Sequence, residues 1–226
     1  MSDQDKTTQT NREISGTQWD LEEANTGITF TSTVGMVVFF FIGLLITGGG
    51  EVHQQLRIPL YFLFLSAYGF LFATILYANS TSRSTREEVE KGDRNRLVSH
   101  NVLGDLLSEL PGIFLLIFSI PIVLLRYSPD IVLPVLLLIS GDLALYLYHH
   151  LGYDLLEEYM PAAATKRIML ELIAIHTFLF LFKFYGYHPG AYFAAGVLIL
   201  GILGLFVHCC LASNIRLNMT HKTSRH

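Results

Sequence analysis

The sequence predicts an all-α polytopic membrane protein, a bundle of six transmembrane helices with its N- and C-termini cytoplasmic. Three observations predict it. Of the 226 residues 51% are hydrophobic and 15% charged, where a soluble domain carries roughly a quarter charged residues. The apolar residues gather into six continuous runs near or above the roughly 20 residues that cross about 30 Å of hydrocarbon. The lysines and arginines between the runs fall almost entirely on alternate sides.

Residues 1–27 are polar and acidic and read as an N-terminal cytoplasmic segment without a secretory signal. The single transmembrane domain, 28–212, follows. Span one is 28–47, ended by Gly48-Gly49-Gly50. Span two is 58–78, followed by a polar run of both charge signs from Asn79 to Arg96. Span three is 103–125. The sequence Tyr127-Ser128-Pro129-Asp130 reads as a tight turn into span four, 131–151. A short loop carries Glu157, Glu158, Lys166 and Arg167 into span five, 168–185. Gly186-Tyr187-His188-Pro189-Gly190 is a second turn, before span six at 191–212. Residues 213–226 form a basic cytoplasmic tail. The runs are continuous and do not alternate, so they read as helices rather than barrel strands.

Orientation follows from the cations. With the N-terminus inside, twelve of the 15 lysines and arginines are cytoplasmic; Arg57, Arg126 and Lys183 are the other three. This bias predicts a multi-pass protein of the cell membrane with both termini cytoplasmic. The adjacent Cys209 and Cys210 give no disulfide framework, and no basic surface points to nucleic acid. Spans one to three show no repeat in spans four to six, which removes one pointer to a transporter.

Ionisable residues within hydrocarbon persist where they face a bundle interior and find partners. In span three Asn101, Asp105, Ser108 and Gly112 recur at helical spacing, with Glu109 beside them. Asp105 and Glu109 stand four apart, so their carboxyl groups are neighbours. Pro111 follows and is expected to kink the helix and free a carbonyl. Span four carries Asp142, Tyr146 and His149 on one face. Span five carries Glu171, His176 and Lys183. In span six Ala194, Gly201, Gly204 and His208 share a face, whose small residues predict close inward packing that takes His208 with it.

Depth joins these residues. Asp105, Glu109, His149, Glu171 and His208 fall in the cytoplasmic half, with Asp142 and His176 deepest. The expectation is one polar cavity open to the cytoplasm and lined by these seven. Carboxylates and imidazoles so placed suit small-ion transport or conduction, of a proton or a divalent cation. Two other readings stay open: an accessory or assembly subunit of a membrane complex, and a membrane-embedded metal or haem b redox protein. His149, Glu171 and His208 are the candidate metal ligands, and His149 or His150 with His208 the one plausible haem pair. The sequence specifies no cofactor. It contains no HExxH or GxSxG pattern, which leans away from an enzyme. Expected partners are the lipid bilayer, a small cation or proton and a partner membrane subunit.

The residues Arg126-Tyr127-Ser128-Pro129-Asp130, Pro134 and Asp142-Leu143-Ala144-Leu145 resemble the third helix of microbial rhodopsins. That family needs a Schiff-base lysine in a seventh helix. This chain has no seventh span and no lysine in its last. Its layout is also similar to that of cation diffusion facilitators, but their paired histidine/aspartate motif and cytoplasmic C-terminal domain are missing. Neither family is carried over.

Overall fold

Every predicted apolar run folds as helix. The computed structural model describes residues 3–47, 56–150 and 156–223, and no strand occurs among them. In chain order the elements are α1 (Asp3–Thr47), α2 (Arg57–Ser80), α3 (Arg83–Glu90) and α4 (Asn95–Leu107). A π-helical segment (Ser108–Phe114) joins α4 directly to α5 (Leu115–Tyr127). Then come α6 (Val132–His150), α7 (Leu156–Tyr159), α8 (Ala162–Phe184) and α9 (His188–Thr223). The predicted spans lie within these helices except at three ends: Ile131 and Tyr185 fall just outside α6 and α8, and Leu151 lies outside the described residues, as does the Gly48–Gly50 run. Helix α1 runs unbroken through the expected boundary at residue 27.

Among the described residues four stretches are long and apolar enough to cross a membrane: Asp20–Thr47, Arg57–Ser80, Asn95–Tyr127 and His188–Ser213. Helices α6 and α8 fall short of that standard for different reasons. The apolar part of α6, Val132–Tyr148, is shorter. In α8 the charges Lys166, Arg167, Glu171 and Lys183 interrupt an otherwise apolar sequence. Many large apolar side chains are exposed, among them Met36 at 72%, Phe193 at 74% and Leu200 at 71%. An apolar outer face on this scale marks a surface made for something other than water.

Helices α1 and α2 run antiparallel, zipped along one face of each. On α1 the buried positions Ala24, Thr31, Gly35, Val38, Ile42 and Leu45 repeat at three, four or seven residues. Ala24 clusters with Ala73 and Tyr77 of α2, and Val38, Ile42 and Leu45 cluster with Leu60, Leu63, Ala67 and Phe70. Between those clusters the Thr31 and Thr74 hydroxyls meet at 2.7 Å, each also bonded to a carbonyl of its own helix.

The α4–π–α5 strip is the most enclosed part of the chain and explains the effect of Pro111. Proline has no amide to give the Leu107 carbonyl four residues back, and its ring crowds that carbonyl. A π turn answers both by shifting the bonding register to five residues. The widened turn packs tightly on α2. A Cβ on Gly69 would stand 2.9 Å from both the Gly112 amide nitrogen and the Leu107 carbonyl oxygen. The buried Ser66 hydroxyl donates to the Gly112 carbonyl at 2.7 Å.

Both predicted turns form. Helix α5 ends at Tyr127, and Asp130 caps α6 by accepting from the Val132 amide at 3.0 Å. Helix α8 ends in a Schellman motif: the Tyr187 amide donates to the Phe182 carbonyl at 2.8 Å and the Gly186 amide to that of Lys183 at 3.3 Å. Gly186 takes φ of +72°, open to glycine at little cost. The Phe182 and Tyr187 rings close the motif edge to face, 5.5 Å apart. Helix α9 returns antiparallel to α8 and buries Ala191, Ala194, Leu198, Ile202, Leu205 and Cys209.

Candidate functional site

Two polar features lie inside the bundle. The first is a buried pair. His176 of α8 is 0% and Asp142 of α6 7% exposed. His176 Nδ1 lies 2.8 Å from Asp142 Oδ1, and Nε2 lies 3.1 Å from the Phe118 carbonyl oxygen of α5. The Phe118 ring packs on the imidazole with centroids 4.4 Å apart. A carbonyl only accepts, so Nε2 carries a proton. The short Nδ1–Oδ1 contact needs one further proton between its two atoms. Whether that proton sits on nitrogen or oxygen, the pair as a whole is neutral. That is the charge state a low-dielectric interior tolerates best.

The Phe118 carbonyl sits three residues before Pro121, in the turn that the proline ring crowds. The pair thus ties three helices together, α6 and α8 through side chains and α5 through its backbone.

The second feature is a cavity of about 990 Å³ between α1, the α4–π–α5 strip and α6. Glu22, Glu23 and Thr26 of α1 lie at its exposed rim, and Asp105, Ser108 and the buried Glu109 face it from the strip. Its other walls are apolar or aromatic, among them Phe30, Phe114, Ile117, Leu145 and Tyr148. Four carboxylates line it, and among the described residues no lysine, arginine or histidine does.

Tyr77 of α2 holds the acidic end in shape. Its ring is wedged between Gly27 of α1 and Gly104 of α4, where added Cβ atoms would come within 2.7 and 2.9 Å of ring carbons. Its hydroxyl donates to Asp105 Oδ1. Nearby, the Arg94 guanidinium pairs with Asp20, and the Asn101 amide donates to the Asp20 carbonyl at 2.9 Å. These contacts fix the start of α1's apolar stretch against α4.

No protein-family model, curated protein or solved structure matches this chain. Its site therefore rests on its own geometry.

The expected seven-residue cavity divides. Asp105 and Glu109 line the cavity together. Asp142 and His176 meet as the buried pair, one residue from Ile117 through Phe118 and three from Leu145. They are linked to the cavity wall through those neighbours and are not in its lining. Glu171 is 57% exposed and pairs with Arg167 at 2.9 Å on the outside of α8. It stands five residues before His176, and so points away from the buried Met169, Leu172, His176 and Leu179 stripe. His208 is also exposed, correcting the inward face expected of α9. That helix buries an alanine and leucine stripe ending at Cys209, leaving Gly204 and His208 outside. The side chain of His149 lies outside the described residues.

Neither Glu171 nor His208 thus faces the interior as the metal reading required, and His208 does not turn toward α6 as a haem ligand. Among the described residues no three histidine, cysteine, aspartate or glutamate side chains converge as a metal set.

Glu22, Glu23 and Tyr77 were not foreseen in the site. The two glutamates fall in a segment that reads as plain polar sequence. Tyr77 carried a usable signal in its position near the polar end of an apolar span, where a ring that is wet at one tip is favoured.

Proposed function

We propose that this chain is a six-span protein of the cell membrane, with both termini cytoplasmic, that transports or conducts a small cation. The cation, a proton or a divalent ion, enters the acidic cavity from the cytoplasmic side. The observation that carries this reading is the cavity's one-sided charge: among the described residues four carboxylates and no basic side chain line one space. Such a concave, partly apolar space concentrates the field of its charges and draws cations in.

Three further features support it. Glu22, Glu23, Tyr77 and Asp105 all lie at the helix ends that the lysine and arginine bias assigns to the cytoplasm. The buried Asp142–His176 pair adjoins the cavity wall through Phe118, the neighbour of Ile117, and adds a second polar group to the bundle interior. On this reading α6 and α8 supply the remaining two spans; α8 has 23 residues, and its Lys166 and Lys183 sit near its ends, where lysines snorkel to water. Of the two ions the proton is favoured, because among the described residues no three histidine, cysteine, aspartate or glutamate side chains converge to hold a divalent cation.

The test is flux into proteoliposomes holding a pH-sensitive or zinc-sensitive dye. Flux above that of protein-free liposomes, lost in Glu109→Gln, is the expected result. Flux equal to that of empty liposomes would overturn the reading.

A further inference from the structure

We propose that the cavity also takes an amphiphilic organic monocation, an alkylammonium, that reaches it sideways from the lipid. This rests on the cation-binding, membrane-spanning reading above and names a substrate class for the same site.

The first argument is the division of the walls. A site for a bare ion is small and polar all round, whereas this cavity of about 990 Å³ is at the upper end of the range for small-molecule pockets. Its carboxylates gather toward one end, around Glu22, Asp105 and Glu109. Ile117 and Leu145 line the other end with carbon alone. A ligand that fits both ends has a cationic head and an apolar tail.

The second argument concerns the head. The carboxylates face the cavity without converging as a metal set among the described residues. Spread negative charge suits a large, weakly hydrated cation, which needs no tight ligand shell. Phe30, Phe114 and Tyr148 add aromatic faces to the lining, and quaternary ammonium groups are recognised on such faces beside carboxylates.

The third argument is the route. The rim runs from Glu22 up to Phe30 on α1 and across to Tyr148 on α6. Phe30 is 48% and Tyr148 42% exposed. Phe30 lies ten residues, about 15 Å of helix, beyond Asp20, where α1's apolar stretch begins. With the helices spanning a bilayer, that part of the rim faces lipid, and an amphiphile in the leaflet meets the opening directly.

The experiment uses the full chain in nanodiscs of zwitterionic lipid, titrated with decyltrimethylammonium, tetramethylammonium and decyl sulfate and compared with empty nanodiscs. Decyltrimethylammonium is expected to bind saturably, once per chain. Tetramethylammonium, with the same head and no tail, binds at least tenfold more weakly. Decyl sulfate shows only the partition seen in empty discs. Glu109→Gln weakens decyltrimethylammonium at least tenfold. Ile117→Trp, which fills the apolar end and leaves every carboxylate in place, weakens it similarly without changing tetramethylammonium binding. Circular dichroism confirms that each variant is helical.

Equal affinity for the two ammonium ions, saturable binding of decyl sulfate, or no saturable binding at all would overturn the proposal. Glu109-dependent proton or zinc flux in a chain that fails to bind decyltrimethylammonium would remove this inference alone. Saturable decyltrimethylammonium binding without any ion flux would remove only small-ion transport.

Discussion

His176 and Asp142 share one proton across 2.8 Å inside the bundle, and the second imidazole nitrogen donates to the Phe118 carbonyl. The two hydrogen bonds together fix the proton count of the pair, so its response to substitution can be ordered in advance.

Asp142→Asn is expected to be well tolerated. Its amide can donate to Nδ1 of a neutral imidazole whose Nε2 proton stays on Phe118. Asp142→Leu strands Nδ1 as a buried acceptor, at a cost of about 1–3 kcal/mol. His176→Leu leaves the buried carboxyl group without its imidazole partner and costs more, on the order of 3–5 kcal/mol with the acid charged. Thermal unfolding in detergent should rank the midpoints in that order. A His176→Leu midpoint equal to wild type would show that the pair contributes nothing to the fold.

The Tyr77 wedge separates packing from hydrogen bonding. Gly104→Ala places a methyl group 2.9 Å from the ring and pushes it out of line with Asp105. Tyr77→Phe keeps the wedge and removes only the hydroxyl. Both variants should remove the Tyr77 hydrogen bond from Asp105, and Gly104→Ala should also lower stability, by about 1–3 kcal/mol for overpacking. Unfolding midpoints of the two variants check this. A Gly104→Ala protein as stable as wild type would mean that the ring has room to move.

Gly69 faces backbone, not a flexible side chain. A methyl group there meets the Gly112 nitrogen and the Leu107 oxygen at 2.9 Å, so neither neighbour can rotate away. Gly69→Ala should separate α2 from the π segment and break the Ser66 bond to Gly112. Ser66→Ala alone should have a milder effect, about 0.5–1.5 kcal/mol. The difference between their midpoints measures the backbone contact. Equal losses would place the whole effect in the hydrogen bond.

Much of this fold is visible in the chain. Continuous apolar runs give the helices to within a few residues at most ends, because hydrocarbon leaves a backbone few other ways to satisfy its amides. Asp130 and Gly186 give the turns through capping and positive φ. Asp105 and Glu109 read as a pair because helical spacing alone makes them neighbours. What spacing does not reveal is helix rotation. Of the small-residue face predicted on α9, Ala194 is buried and Gly201 packs near Leu172, but Gly204 and His208 lie outside, because the stripe turned inward ends at Cys209. Nor does spacing reveal tertiary partners. Asp142 and His176 were each legible as deep polar residues, yet their contact depends on how α6 and α8 cross. Glu22 and Glu23 join the site because α1 extends past the expected boundary and leans on α4 through Asp20, Arg94 and Asn101.

The account turns on a cavity that opens to cations from the cytoplasm, and labelling of Glu109 tests it most directly. A water-soluble carbodiimide is applied to sealed inside-out and right-side-out membrane vesicles, with and without decyltrimethylammonium, and Glu109 is read by peptide mass spectrometry. The account predicts labelling in inside-out vesicles only, reduced by the organic cation. Labelling from the outer face, or an unlabelled Glu109 in both orientations, would contradict it.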